Sequence, residues 1–208
     1  VKVPSRKEVF KDRDDRFGRM DPFSKVGLAA IAMALEDAGI AGDLEQNRTA
    51  GITASTQRGC IGTDVDFFHT VLADNGQWPS PHLFTYTLAN CFLGEAALRF
   101  NLTGPSYILH EENTFSLAGV RAALVELADK DADLMIAGAC DLSLPHKLLS
   151  DFDGRCPGPA GAAFIVLSPA RRTGSDGHAL VQEKAGDIFV DGEAVSSLTE
   201  LICRGQRT

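Results

Sequence analysis

G-P-S-Y-I-L-H-E-E-N-T-F-S-L-A-G, residues 104–119, decides how the rest of the chain is read. A β-rich run, Ser106 to His110, is followed by a polar corner of Glu111, Glu112 and Asn113. Beyond it a helix pattern is predicted over residues 114–129, with Leu117, Val120, Ala123, Leu124 and Leu127 facing inward. A strand that breaks sharply into a helix is an α/β unit, and the side chains at such a corner commonly carry chemistry.

Working outward, the same alternation repeats. Asp21-Pro22 is a helix start, with a side-chain cap and a proline at the first helical position, and Gly39 is its stop. Between them V-G-L-A-A-I-A-M-A-L is apolar nearly all round, which predicts a buried helix. Residues 51–56 read as a strand. Residues 63–73 return to helical spacing with Val65, Phe68 and Leu72 on one face and Asp64 and Asp66 in the first turn. The two prolines of N-G-Q-W-P-S-P make that stretch a loop. From Leu83 to Phe100 the chain is again apolar at helical spacing, ending at T-G-P. Residues 133–139 and 161–167 are continuous apolar runs of strand length, and a last strand pattern begins near Ala179. Unbroken apolar strands between helices predict a mostly parallel sheet with helices on both faces.

Composition bounds the function. With 208 residues the chain supports one domain, expected to span residues 1–208. A net charge of -8 argues against nucleic acid as a partner. The charged run S-R-K-E-V-F-K-D-R-D-D-R reads as a solvated face. No apolar run approaches bilayer length and no leader opens the chain, so no membrane association is expected and a cytoplasmic protein is. The first residue is Val1, not Met, which leaves room for residues upstream. Cys60, Cys91, Cys140, Cys156 and Cys203 are scattered with no C-x-x-C pair, which fits reduced thiols. No metal and no cofactor is expected.

Four blocks in order, R-M-D-P-F-S-K-V-G-L-A-A-I-A-M-A-L-E-D-A-G-I, S-P-H-L-F-T-Y-T-L-A-N-C-F-L-G-E-A-A-L-R-F-N-L-T-G-P-S-Y, D-A-D-L-M-I-A-G-A-C-D and G-A-A-F-I-V-L, resemble the N-terminal half of the β-ketoacyl-acyl carrier protein synthases. The resemblance implies a thiolase-like half-fold of the α/β class. It also implies a nucleophilic cysteine at a fixed distance after the Gly-Pro, and here that position is Asn113. Glu112-Asn113 is similar to the Glu-Gln pair of the chain-length-factor subunits of type II polyketide synthases. The family's C-terminal half, with its two histidines, is not expected in the short tail beyond Ala179, and His69, His82, His110, His146 and His178 match no motif of it.

These features imply a non-catalytic, chain-length-factor-like subunit, a pseudoenzyme. It would pair as a heterodimer or higher assembly with an active ketosynthase in fatty acid, polyketide or aryl polyene assembly. Acyl carrier protein would be met indirectly, because an acidic carrier is poorly served by an acidic surface. The resemblance further implies that Leu83, Phe84, Thr87 and Phe92 wall the partner's acyl tunnel, Phe92 having a core helix position as its rival reading. Ser106, Tyr107, Ile108, Leu109 and His110 would form an edge strand at the dimer. Other readings of the corner stay open. Glu111, Glu112 and Asn113 are good helix-capping residues. Alternatively Glu112 or Asn113, at the helix N-terminus, assists decarboxylation of a malonyl thioester. A third reading makes Cys91 or Cys60 a relocated nucleophile, with Arg58 lowering the pKa of Cys60.

Overall fold

The computed structural model describes residues 2–40, 49–73, 75–144, 158–169 and 179–206. His146, His178 and Cys156 lie outside them. Strands β1 (Ala50–Thr56), β2 (Ser106–His110), β3 (Leu134–Asp141) and β4 (Gly161–Leu167) form one sheet in the order β2-β1-β3-β4. β1 runs parallel to β2 and β3, and β4 runs antiparallel to β3. The sheet is therefore mixed and mostly parallel, as the unbroken apolar runs predict.

Alternate side chains of these strands serve two separate cores, because successive residues point to opposite faces. Ile52, Ala54, Ile136 and Cys140 join one cluster with Phe23, Leu28, Ile31 and Leu35 of α2 (Pro22–Asp37) and with Phe92 and Leu93 of α5 (Cys91–Phe100). Met135, Ala137 and Ala139 join the other, with Val120 and Ala123 of α6 (Ala118–Asp129) and Leu198 and Leu201 of α7 (Leu198–Gly205). Two short helices, α1 (Arg6–Val9) and α4 (Pro81–Phe84), together with α3 (Ile61–Ala73) and a 3-10 turn at Phe17–Arg19, complete the helical set of the described residues.

Local chemistry explains the boundaries. Asp21 caps α2 by accepting the amides of Phe23 and Ser24, and it also accepts the Thr63 hydroxyl at 2.6 Å, which ties α3 to the start of α2. α2 ends with Gly39 at φ +70, and the Ile40 amide reaches back to the Leu35 carbonyl at 2.8 Å. α6 packs so closely on the sheet that a Cβ at Gly119 would lie 2.6 Å from the Gly138 carbonyl oxygen.

Five expectations are corrected. The apolar run over residues 83–100 is two helices, α4 and α5. The Thr85 and Thr87 hydroxyls donate to the carbonyls of Pro81 and Phe84, and Tyr86 turns inward to Glu95, so the helix stops. The helix expected from 114 begins at Ala118. The apolar face of α3 is not covered, and Phe68 and Leu72 are exposed. The single strand expected near Ala179 is a three-stranded antiparallel sheet, β5 (Val181–Lys184), β6 (Asp187–Val190) and β7 (Glu193–Val195), followed by α7. Its two turns, Ala185-Gly186 and Asp191-Gly192, have positive φ at both residues, as two-residue hairpin turns require. The charged N-terminal run is not only a solvated face. Arg16 makes two hydrogen bonds, at 2.7 and 2.8 Å, to the buried Glu95 carboxylate.

Candidate functional site at the strand-to-helix corner

β2 leaves the sheet in register. The Glu111 amide donates to the Thr56 carbonyl, and Gln57 Nε2 donates to the Glu112 carbonyl at 2.5 Å. The side chains of Glu111, Glu112 and Asn113 are exposed. The chain then bends through Phe115, which has φ +55, and the Phe115 carbonyl accepts the Leu198 amide at 3.0 Å. α6 starts at Ala118, five positions past Asn113, with Leu117 at its N-cap and the Ser116 hydroxyl accepting the Ala118 amide.

This geometry overturns two readings of the corner. Glu111, Glu112 and Asn113 do not cap α6, because that place is held by residues 116 and 117. Nor is Asn113 a residue of the first turn of α6, as the decarboxylation reading supposed, since the helix begins five positions later. The premise of dipole-assisted decarboxylation is therefore missing.

Beneath the corner lies a buried ionic cluster that sequence reasoning missed. Asp141, 1% exposed at the end of β3, accepts the Thr56 hydroxyl at 3.0 Å and the amides of Gln57 and Arg58 at 3.0 and 2.9 Å. The Arg58 guanidinium is also buried. Its Nε stands 3.6 Å from Asp141 Oδ1 without a hydrogen bond, while Nη2 donates to the carbonyls of Gly158 and Pro159, each at 3.1 Å. Gly158 in turn abuts Thr114. The signal available in the sequence was an acid closing the continuous apolar run of β3 and a cation just after β1. The cluster braces the loops around the corner and presents no reactive group to solvent.

Cys60, Cys91 and Cys140 are not activated as nucleophiles either. Burial pushes the Cys60 thiol up to about 12, and Asp64 and Asp21 add to the shift, so the expected lowering by Arg58 is reversed. The Arg58 charge is turned instead to Asp141. Burial also raises Cys91, half-buried at the start of α5, and holds Cys140 well above the ordinary value. His69, His82 and His110 are exposed. Among the described residues no group of His, Cys, Asp and Glu is placed to hold a metal ion, and no helix is long and apolar enough to cross a membrane. Two shallow depressions, of about 260 and 220 Å³, are lined by residues around Arg16 and Glu95 and by residues around Glu193 and Arg204; neither includes a corner residue.

The remaining candidates fall in different environments. Phe84 is 63% exposed, and Leu83 and Thr87 are half-buried beside it. Phe92 is fully buried, edge-on to Phe23 at 5.4 Å and to Phe164 at 6.2 Å, with its ring against Gly27. Those contacts make it part of this chain's own core. β2 is an edge of the four-stranded sheet and pairs on one side with β1.

Residues 5–155 match the family model of the beta-ketoacyl synthase N-terminal domain. The chain belongs to this family. It is 29% identical over 125 residues to 3-oxoacyl-[acyl-carrier-protein] synthase 2 of Vibrio cholerae, covering 59% of this chain and 30% of that protein. It is 26% identical over 176 residues to the same-named protein of Rhizobium meliloti, covering 84% and 40%. The beta-ketoacyl synthase-like chain thus spans well under half the length of these curated relatives. Among solved structures, the fold is shared with the ishigamide ketosynthase/chain length factor, with a TM-score of 0.65, 17% identity and coverage of 78% of this chain and 48% of that one. It is shared too with a ketosynthase in complex with its chain length factor from Xenorhabdus doucetiae, with a TM-score of 0.58, 14% identity and coverage of 96% and 76%. The architecture is accordingly that of a thiolase-like ketosynthase.

Proposed function

We propose that the chain is a non-catalytic, chain-length-factor-like subunit that pairs with an active ketosynthase in the assembly of a fatty acid, polyketide or related acyl chain. One observation carries the reading: the position at which the family resemblance implies a nucleophile is Asn113, an exposed amide five positions ahead of α6. An amide attacks no thioester, and the three buried or half-buried thiols stay protonated at neutral pH. The edge of β2 and the exposed Phe84 with Leu83 and Thr87 supply the surface for a partner, and Phe84 would reach toward its acyl pocket. The solved ketosynthase and chain length factor complexes support a ketosynthase as that partner.

The test is co-expression with a ketosynthase from the same genome, with an affinity tag on this chain. The expected outcome is a stoichiometric complex that condenses acyl and malonyl thioesters, while the tagged chain alone does not. Condensation by the chain alone would reject the reading.

A further inference from the structure

Residues 114–117, T-F-S-L, stand outside α6, although they contain neither glycine nor proline and the helical spacing of the sequence runs through them. What holds them open comes from later in the chain. Phe115 has φ +55, a left-handed conformation that a residue with a Cβ disfavours. In a helix begun at residue 114 the Phe115 carbonyl would accept the Gly119 amide. Here it accepts the Leu198 amide at 3.0 Å instead. Leu198 is the first residue of α7, so its N–H is one of the amides that no carbonyl within that helix can satisfy.

Packing supports the same contact. Leu198 and Leu201 are buried in one core with Val120 and Ala123 of α6, and Phe115 packs against that core. A second late segment presses on the same residues. A Cβ at Gly158 would lie 2.2 Å from the Thr114 hydroxyl oxygen, and one at Gly161 would lie 3.4 Å from the Phe115 ring. The loop form of the corner is thus written in residues 158–161 and 198, while its own sequence favours a helix.

We propose that residues 114–117 are a two-state element latched by α7. While the Leu198 N–H holds the Phe115 carbonyl, α6 starts at Ala118 and Asn113 stays outside it. With that bond released, residues 114–117 wind onto α6 as its first turn, and Asn113 becomes the N-cap, a place that suits its side-chain oxygen. Both forms satisfy the Phe115 carbonyl, so the balance lies between the docking of α7 and the backbone strain at Phe115. The latch decides whether the corner is a loop or a helix N-terminus with free amide donors. This inference goes beyond the reading of the chain as a ketosynthase partner and does not depend on it.

Backbone NMR of the full chain distinguishes the two forms, because Cα resonances move downfield in a helix. Leu198→Pro deletes the donor at a first helical position, where proline is tolerated, and Leu198→Ala keeps the donor while removing the buried side chain. Wild type and Leu198→Ala should show non-helical Cα shifts at residues 114–117, and Leu198→Pro should show helical ones. Non-helical shifts in Leu198→Pro, or helical shifts in wild type, overturn the proposal. So do equal helical shifts in Leu198→Pro and Leu198→Ala, since lost packing and not the lost amide would then open the corner. If Leu198→Pro does not fold, a second pair that leaves α7 intact decides the matter. Phe115→Ala and Phe115→Gly both lose the ring, but only glycine holds positive φ without strain. Phe115→Ala should move the Cα shifts of residues 114, 116 and 117 toward helix and Phe115→Gly should not; the same shifts in both variants overturn the proposal.

Discussion

Arg58 and Asp141 are buried against each other beneath the corner, Nε 3.6 Å from Oδ1, although 83 positions separate them in the chain. Asp141 also holds the backbone at the end of β1, so it carries more of this cluster than Arg58 does. Removing one member of a buried pair strands the other charge without compensation. Asp141→Ala should lower stability by about 3–5 kcal/mol, whereas Arg58→Met/Asp141→Leu should recover part of that loss. Urea unfolding followed by circular dichroism measures both. A cost for Asp141→Ala below about 1 kcal/mol would mean that the pair does not hold the corner.

Phe92 and Phe84 separate core from surface. Phe92→Ala empties a site bounded by Phe23, Phe164 and Gly27 and should cost about 3–5 kcal/mol. Phe84→Ala, at a 63% exposed position, should change stability by less than about 0.5 kcal/mol. In the assembled complex, Phe84→Ala should lengthen the product, read by mass spectrometry of the released acyl chains. An unchanged product distribution would leave Phe84 with no tunnel-wall role.

The free edge of β2 has a defined polarity. The Ile52 amide donates to the Pro105 carbonyl and the Glu111 amide to the Thr56 carbonyl, so alternation directs the amides of residues 107 and 109 to β1 and those of residues 106, 108 and 110 outward. Ile108→Pro removes an outward donor while sparing the β1 ladder. The variant should fold with near-native circular dichroism and fail to co-purify with a ketosynthase. Retained pairing would place the contact elsewhere.

Strands β3 and β4 were legible within one or two residues because a continuous apolar run has few other uses. The start of α6 was not, since nothing local announces that Phe115 adopts positive φ and delays the helix. The break between α4 and α5 was hidden for a different reason. Tyr86 keeps the apolar spacing intact, and it turns inward to a Glu95 that is held by Arg16, 79 positions away. The brace beneath the corner is equally non-local. Asp191-Gly192 is a local hairpin signal, although only one strand was expected there, whereas the cap at Asp21 was read directly.

Alkaline stability follows from protons that the fold retains. Burial raises Tyr86 and Tyr107 to about 12, with Glu95 and Glu126 beside their hydroxyls adding to the effect. Unfolded tyrosines release their protons near pH 10. Between about pH 10 and 12 the folded state therefore binds more protons, so this stability is fully present below about pH 10 and is lost as the pH rises through about 12. Tyr86→Phe and Tyr107→Phe should each flatten the fall of unfolding free energy across that window. Identical slopes in wild type and both variants would contradict the assignment.

The central claim, that this chain pairs with an active ketosynthase but forms no acyl-enzyme, is tested most directly by intact-mass spectrometry of the co-purified complex after incubation with an acyl-loaded carrier protein. The acyl mass should appear on the ketosynthase partner and not on this chain, whose residue 113 is asparagine. An acyl adduct on this chain would contradict the account.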